Sequence, residues 1–264
     1  MLKSLLLAAV CAVSLSGCVI IASDGGETTV VQPATEAGWA SPGADLYAGA
    51  VADDRRLPEE VARDPLRKPA EMLAFARLQP GQAIADIRPE EGYFTRLFAP
   101  VVGAAGHVYA FVPNQTAERE NAYGDTLAST YPNVSRVTGK LEEMAFDRPL
   151  DVVFMGQEYH DFVIPRFGVD VAAMNRRVFE VLKPGGLYVI LDHQAAEGAG
   201  NSVVGTLHRI EASELRRQVE AAGFVFDGES TVVANPDDDH SLSVFDAAIR
   251  GRTDQFVYRF RKPG

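Results

Sequence analysis

His160-Asp161, Asp192-His193 and His208-Arg209 are the residues of this 264-residue chain best suited to chemistry. An imidazole exchanges a proton near neutral pH and also ligates metal ions. His160 and His193 each follow an apolar run, Asp151–Met155 (DVVFM) and Leu187–Leu191 (LYVIL). As neighbouring parallel strands, those runs would deliver both histidines to one cleft, with His208 near. His160 or His193 would then take or give a proton, and Asp161 or Asp192 would set the tautomer. Each histidine taken alone also fits a loop cap bonded to backbone. No tight ligand spacing joins them, so the sequence by itself assigns no metal.

A second set of residues lies in the turn Asp86-Ile87-Arg88-Pro89-Glu90-Glu91-Gly92-Tyr93, after the short apolar run Ala83–Ile87. In an open α/β sheet, ligands sit beyond the carboxyl ends of the strands, beside the first turn. Glycines there let the backbone approach the ligand closely. Asp86, Gly92 and Tyr93 stand where cofactor-binding groups belong, but Arg88, Glu90 and Glu91 fill the rest. The next strand ends in Val112-Pro113, whose side chains cannot accept a hydrogen bond from a ribose.

The elements that must position these groups alternate. Helices are predicted over 58–64, 69–78, 91–101, 116–130, 170–182 and 213–222, the last with Ser213 as N-cap. Strands are predicted over 83–87, 107–112, 134–137, 151–155 and 187–191, then near 224–233 and 254–261. Lys183-Pro184-Gly185-Gly186 reads as a sharp helix stop. Runs apolar on both faces and separated by helices imply a parallel sheet covered on both sides. The last two strands, with no helix between them, imply an antiparallel hairpin. The expected fold is α/β: a doubly wound, mostly parallel seven-stranded sheet whose last strand is antiparallel.

Composition sets outer bounds. Hydrophobic content of 47% and charged content of 23% fit one globular domain with a full core. The net charge of −11 disfavours nucleic acid and a polybasic membrane-docking surface. The two cysteines, Cys11 and Cys18, both lie near the N-terminus, so neither a disulfide nor a thiolate serves the domain. Lys3 followed by the apolar Leu5–Leu15 has the form of a secretory signal. Leu15-Ser16-Gly17-Cys18 resembles the lipobox of bacterial lipoproteins, which implies lipidation of Cys18 and an outer-membrane address facing the periplasm. Residues 1–17 are then signal, 18–54 a flexible tether with Trp39 and Tyr47 as its aromatics, and 55–264 the domain.

Three further segments read more blandly. Glu197–Ser202 is glycine-rich and could cover the strand ends. Asn235-Pro236-Asp237-Asp238-Asp239-His240 lacks calcium-loop spacing and reads as a solvated turn. Arg63-Asp64 and Arg67-Lys68-Pro69 read as a solvated helix face.

Taken together, Arg63-Asp64 with Arg67-Lys68-Pro69, the Asp86–Thr95 turn, Tyr159-His160-Asp161, the LKPGG stretch with Asp192-His193, LHRI at 207–210, AAGF at 221–224 and the tail RGRTDQFVYRFRKP at 250–263 resemble a family of predicted class I S-adenosylmethionine-dependent methyltransferases from bacteria. The resemblance spans about 55 to 263. It implies the class I fold, S-adenosylmethionine as cofactor and methyl transfer to an unidentified acceptor, a small molecule included. The family pattern places glycines at 90 to 92, of which only Gly92 remains. Two other readings stay open: a non-catalytic binding lipoprotein that has lost the cofactor, and a His/Asp enzyme, with or without a metal.

Overall fold

The computed structural model describes residues 43–264. Cys18, Trp39 and the signal lie outside the described residues. The helices are α1 Ala44–Val51, α2 Pro58–Val61, α3 Asp64–Arg67, α4 Pro69–Phe75, α5 Tyr93–Val102, α6 Ala117–Thr130, α7 Tyr159–Val163, α8 Val171–Val181, α9 Val204–Leu207 and α10 Ala212–Glu220. The strands are β1 Ala83–Ile87, β2 His107–Pro113, β3 Val134–Gly139, β4 Leu150–Gly156, β5 Leu182–His193, β6 Val225–Ser230 and β7 Gln255–Arg261.

The seven strands form one sheet in the order β3-β2-β1-β4-β5-β7-β6. β1 pairs in parallel with both β2 and β4, setting Asp86 level with Ala110 and Phe154. Successive crossovers therefore leave β1 in opposite directions, and a crevice opens where they diverge. β1 is buried along its whole length. Short runs such as Ile84, Ala85 and Ile87 can do this because helices cover both faces. Phe98, Phe111, Phe154, Phe162 and Tyr188 are among the largest fully buried side chains.

The expected doubly wound sheet is present, and several local expectations need correction. β7 pairs antiparallel with β5 and with β6, so it lies between them. It is joined to β6 by the long segment 231–254 rather than by a tight hairpin. The stretch read as helix over 58–64 is broken into α2 and α3. KPGG follows the end of α8 at Val181 but belongs to β5, where Gly185 N–H donates to Lys262 O at 2.9 Å. Glu211, not Ser213, is the N-cap of α10, and Ser213 Oγ donates to its carboxylate at 2.6 Å.

Within the stretch expected to be a tether, residues 44–51 form α1. α1 packs on the domain: Tyr47 is buried and its hydroxyl donates to Leu78 O at 2.9 Å. Asp170, by contrast, caps α8 as its position suggests, accepting from Ala173 N–H at 2.9 Å.

Candidate functional site

The carboxyl ends of β4 and β5 lie side by side, with Gly156 opposite Leu191. This register brings the His160 turn next to Asp192. Asp192 is fully buried at the end of β5. One of its oxygens lies 2.6 Å from His160 Nδ1, and the other accepts the His160 backbone N–H at 2.8 Å. A strand-end carboxylate thus fixes both the ring and the first turn of α7. Asp161, the next residue, places Oδ1 at 3.3 Å from His160 Nε2 and 2.8 Å from His208 Nδ1. The His160 ring centre lies 5.7 Å from that of His193 and 5.5 Å from that of His208.

The three histidines therefore converge: His160 and His193 follow neighbouring strands, and the bridge between Gln194 and Ile210 brings His208 alongside. His193 Nδ1 pairs with Thr253 Oγ1 at 2.8 Å, which leaves its other nitrogen for the cleft. His208 sits in left-handed backbone at φ 55°, unusual for a residue with a side chain. Its ring stacks edge-on against Phe245, with ring centres 4.8 Å apart.

Environment separates the imidazoles. Burial pulls His160 down, but Asp192 and Asp161 outweigh it and raise its pKa to about 10. Burial pushes His193 down to about 3, against the opposing pull of Asp192. Burial also lowers His208. Asp161, despite its burial, is held below the ordinary carboxylate range by His160, Arg88 and His208.

Arg88 is the residue the sequence did not single out for a positioning role. It leaves the β1 turn at φ 53° and extends across the crevice. Its guanidinium contacts Glu158, Asp161 Oδ2 at 3.0 Å and Glu120 at 3.3 Å. Arg88 and Glu120 are buried, with side chains 8% and 2% exposed, so the pairs are largely screened from water. Burial alone would lower the guanidinium, yet Glu158, Glu120, Glu90 and Asp161 raise it and keep it charged. With one guanidinium among so many carboxylates, Glu158 is pushed well above its ordinary range by burial, with Glu90 and Asp161 adding to it. Glu120 lies on a helix of weak pattern and no sequence signal pointed to it.

The other predicted cofactor residues are accounted for locally. Asp86 is buried and accepts from Thr95 Oγ1 at 2.7 Å; burial pushes its pKa up to about 7. Gly92 has φ 97°, and a Cβ there would lie 2.4 Å from Leu127 Cδ2, so only glycine fits. Tyr93 is buried and donates to Asp64 at 2.7 Å. The supposedly solvated face is engaged as well: Arg67 lies over the Tyr93 ring at 4.6 Å and donates to Gln157 Oε1 at 3.1 Å.

Two flanking segments are firmer than expected. Asp238 is buried and paired with the fully buried Arg209 at 2.8 Å, which anchors the 231–254 segment instead of leaving a solvated turn. Gly200, in the glycine-rich loop, donates its N–H to Glu211 at 2.8 Å.

Comparison with solved structures agrees with this architecture. A SAM-dependent methyltransferase from Aquifex aeolicus is similar at a TM-score of 0.54 and 17% identity, over 76% of this chain and 93% of that one. The putative methyltransferase complexed with the Trm112 activator of Haloferax volcanii gives 0.55 and 17%, over 83% and 98%. The [4+2]-cyclase SpnF gives 0.56 and 15%, over 80% and 84%. The chain has the class I methyltransferase fold. No protein-family model and no curated protein sequence matches it.

The fold implies S-adenosylmethionine, and the residues present can be tested against it. The space bounded by Asp86, Gly92 and Tyr93 is only 40 Å³, against roughly 300 Å³ at the lower end of ligand pockets. Arg88, fastened by carboxylates on three sides, fills the rest of that crevice. Glu90 occupies left-handed backbone suited to glycine, at φ 50°. Val112 and Pro113 are buried and offer no side-chain acceptor at the end of β2. These residues do not fit the cofactor. A larger space of 480 Å³ opens beside them, with His160, Asp161 and His193 in its wall.

Proposed function

We propose that this domain is an enzyme built on the methyltransferase fold that works without S-adenosylmethionine. Its reacting centre is the His160, Asp161, His193 and His208 cluster. The observation that carries this reading is the division of the crevice. The cofactor side is closed by the Arg88 ion pairs, while the adjoining 480 Å³ space opens on the histidines.

That space suits a small polar molecule. Glu90, Glu91, Glu120 and Glu158 line it together with Arg88 and Arg119, so a polar ligand matches this lining where an apolar one would only desolvate it. His160 is oriented by Asp192 and His193 by Thr253, each through its Nδ1. His193 keeps its second nitrogen for a bound molecule, whereas His160 Nε2 faces Asp161 Oδ1 at 3.3 Å. His193 placed in this way can take or give a proton at a substrate bound beside His160 and Asp161.

Calorimetric titration of the purified chain with S-adenosylmethionine and S-adenosylhomocysteine tests the reading. The expected result is no heat at millimolar ligand. Saturable binding overturns it.

Methyl transfer from S-adenosylmethionine to an unidentified acceptor is the second reading, and one observation favours it. The β1 turn keeps the backbone of a glycine turn, with Arg88, Glu90 and Gly92 all at positive φ. Under that reading Arg88 would have to leave the crevice, and His160 or His193 would deprotonate the acceptor.

The address is part of the same proposal. The Leu15–Cys18 pattern supports export and lipid attachment at Cys18, which would hold the domain at the outer membrane facing the periplasm. Radiolabelled palmitate incorporated by the wild type and absent from Cys18→Ser is the expected outcome; equal labelling would refute it.

A further inference from the structure

The donor atoms around Asp161 carry the reading of this cluster one step further. His160 Nε2, an Asp161 carboxylate oxygen and His208 Nδ1 all lie within 4.8 Å of one another. Two of the separations are those of ligands around one small ion: 3.3 Å from His160 Nε2 to Asp161 Oδ1, and 2.8 Å from His208 Nδ1 to the same oxygen. Bonds of roughly 2.0–2.1 Å to zinc in a tetrahedron place donors about 3.3 Å apart. Both separations lie within about half an ångström of that value, and the two histidine donors lie no more than 4.8 Å apart.

The atoms behind the donors are also fixed. His160 is backed through Nδ1 by Asp192 Oδ1 at 2.6 Å, the carboxylate–histidine arrangement that orients a metal-binding ring. Asp161 Oδ2 is held by Arg88 at 3.0 Å, which turns Oδ1 toward the two imidazoles. His208 is held in strained left-handed backbone, and such outliers persist where the surroundings impose them. Two histidines and one carboxylate leave further coordination positions free, and the 480 Å³ space touches two of these three ligands, His160 and Asp161. A closed structural site would lack such an opening.

We propose that His160, Asp161 and His208 bind one divalent transition-metal ion, zinc by donor set and spacing, with its open positions facing that space. This rests on the cluster being the reacting centre. His193, 5.7 Å from His160 between ring centres and engaged by Thr253, is the neighbouring base and not one of the three ligands.

The test uses the full chain, stripped with a chelator and dialysed. Calorimetric titration with zinc should give one site per chain at micromolar affinity or tighter. Cobalt should give the visible absorption of a site with nitrogen and oxygen ligands and low coordination number. His208→Ala, at a half-buried loop position, should weaken zinc at least 100-fold and remove the cobalt spectrum. Asp192→Asn should weaken zinc by about 10- to 100-fold while keeping the spectrum, as outer-shell partners do. His193→Ala should bind within a factor of three of wild type.

His160→Ala removes a buried group and could unfold the chain, so His208→Ala and Asp161→Asn, checked by circular dichroism, carry the decision. Absence of zinc binding by the wild type overturns the proposal, as does binding unchanged in both folded variants. The S-adenosylmethionine titration is read separately. Cofactor binding with an intact metal site would sink the functional reading alone, whereas no cofactor and no metal would sink the metal site alone.

Discussion

Arg88→Gly is the perturbation that best tests the closed crevice. Removing the guanidinium leaves Glu120, Glu158 and Asp161 facing one another with side chains only 2%, 6% and 14% exposed. Breaking a buried ion pair from one side destabilises by about 3–5 kcal/mol, because the remaining charge loses its compensation. Two backbone effects oppose each other. Glycine relieves left-handed strain of about 1–2 kcal/mol at φ 53°, but it adds about 0.5–1 kcal/mol of unfolded-state entropy. The net expectation is a loss of about 2–4 kcal/mol. For a domain of this size that is roughly 4–16 °C in melting temperature. Thermal melts of wild type, Arg88→Gly, Glu158→Gln and the double variant read it out. Glu158→Gln should recover part of the loss in the Arg88→Gly background while destabilising the wild type, a non-additivity expected of residues in one network. An Arg88→Gly protein that melts at or above the wild-type temperature would refute the view that these pairs close the crevice.

Three other variants probe the frame around the site. Asp86 should carry a pH signature: its folded pKa of about 7 lies above its unfolded value, so its contribution is fully present below the unfolded pKa near 4 and is lost as pH rises toward 7. Asp86→Asn should therefore gain in stability relative to wild type as pH is raised from 5 to 8. A difference in melting temperature that stays flat over that window would contradict the burial argument. Gly92→Ala places a Cβ 2.4 Å from a buried leucine methyl at φ 97° and should destabilise by about 2–3 kcal/mol in denaturant titrations; a midpoint equal to wild type would show that α5 can shift. Tyr47→Phe removes a buried hydroxyl bond to Leu78 O and should lose about 1 kcal/mol. No change would mean that α1 contributes packing alone.

The fold was legible from the sequence because it is carried by repeated, local signals. Each run such as Ala83–Ile87 or Leu187–Leu191 is apolar on both faces, and only a sheet covered on both sides buries such a run. The edges were less legible. β7 pairs between β5 and β6 through a long connection, and nothing local in residues 231–254 specifies that. α1 was read as tether because its one buried aromatic, Tyr47, sits among small and polar residues and bonds to Leu78, far along the chain.

The candidate site divides in the same way. His160 and His193 were found because strand ends at a parallel sheet are places in space as well as in sequence. His208 was only a neighbour by suggestion, since its approach depends on the turn that pairs Gln194 with Ile210. Arg88 was read as bulk in a glycine turn, a correct observation with an incomplete consequence. Its partners Glu120 and Glu158 come from two other crossovers, so no spacing rule could join them.

The Arg88 turn and the histidine cluster then have a common physical explanation. A parallel sheet whose crossovers diverge at β1 and β4 always creates a crevice at this place, whatever fills it. The same geometry that would deliver glycine backbone to a cofactor delivers Arg88 to three carboxylates. One of them, Asp161, is shared with His160 and His208. The plug and the cluster are therefore one network: Arg88 holds the carboxylate that both imidazoles share. A chain with glycine at 88 would open the crevice and release Asp161 in the same step. Under the proposed reading, one residue both closes the crevice and orders the cluster.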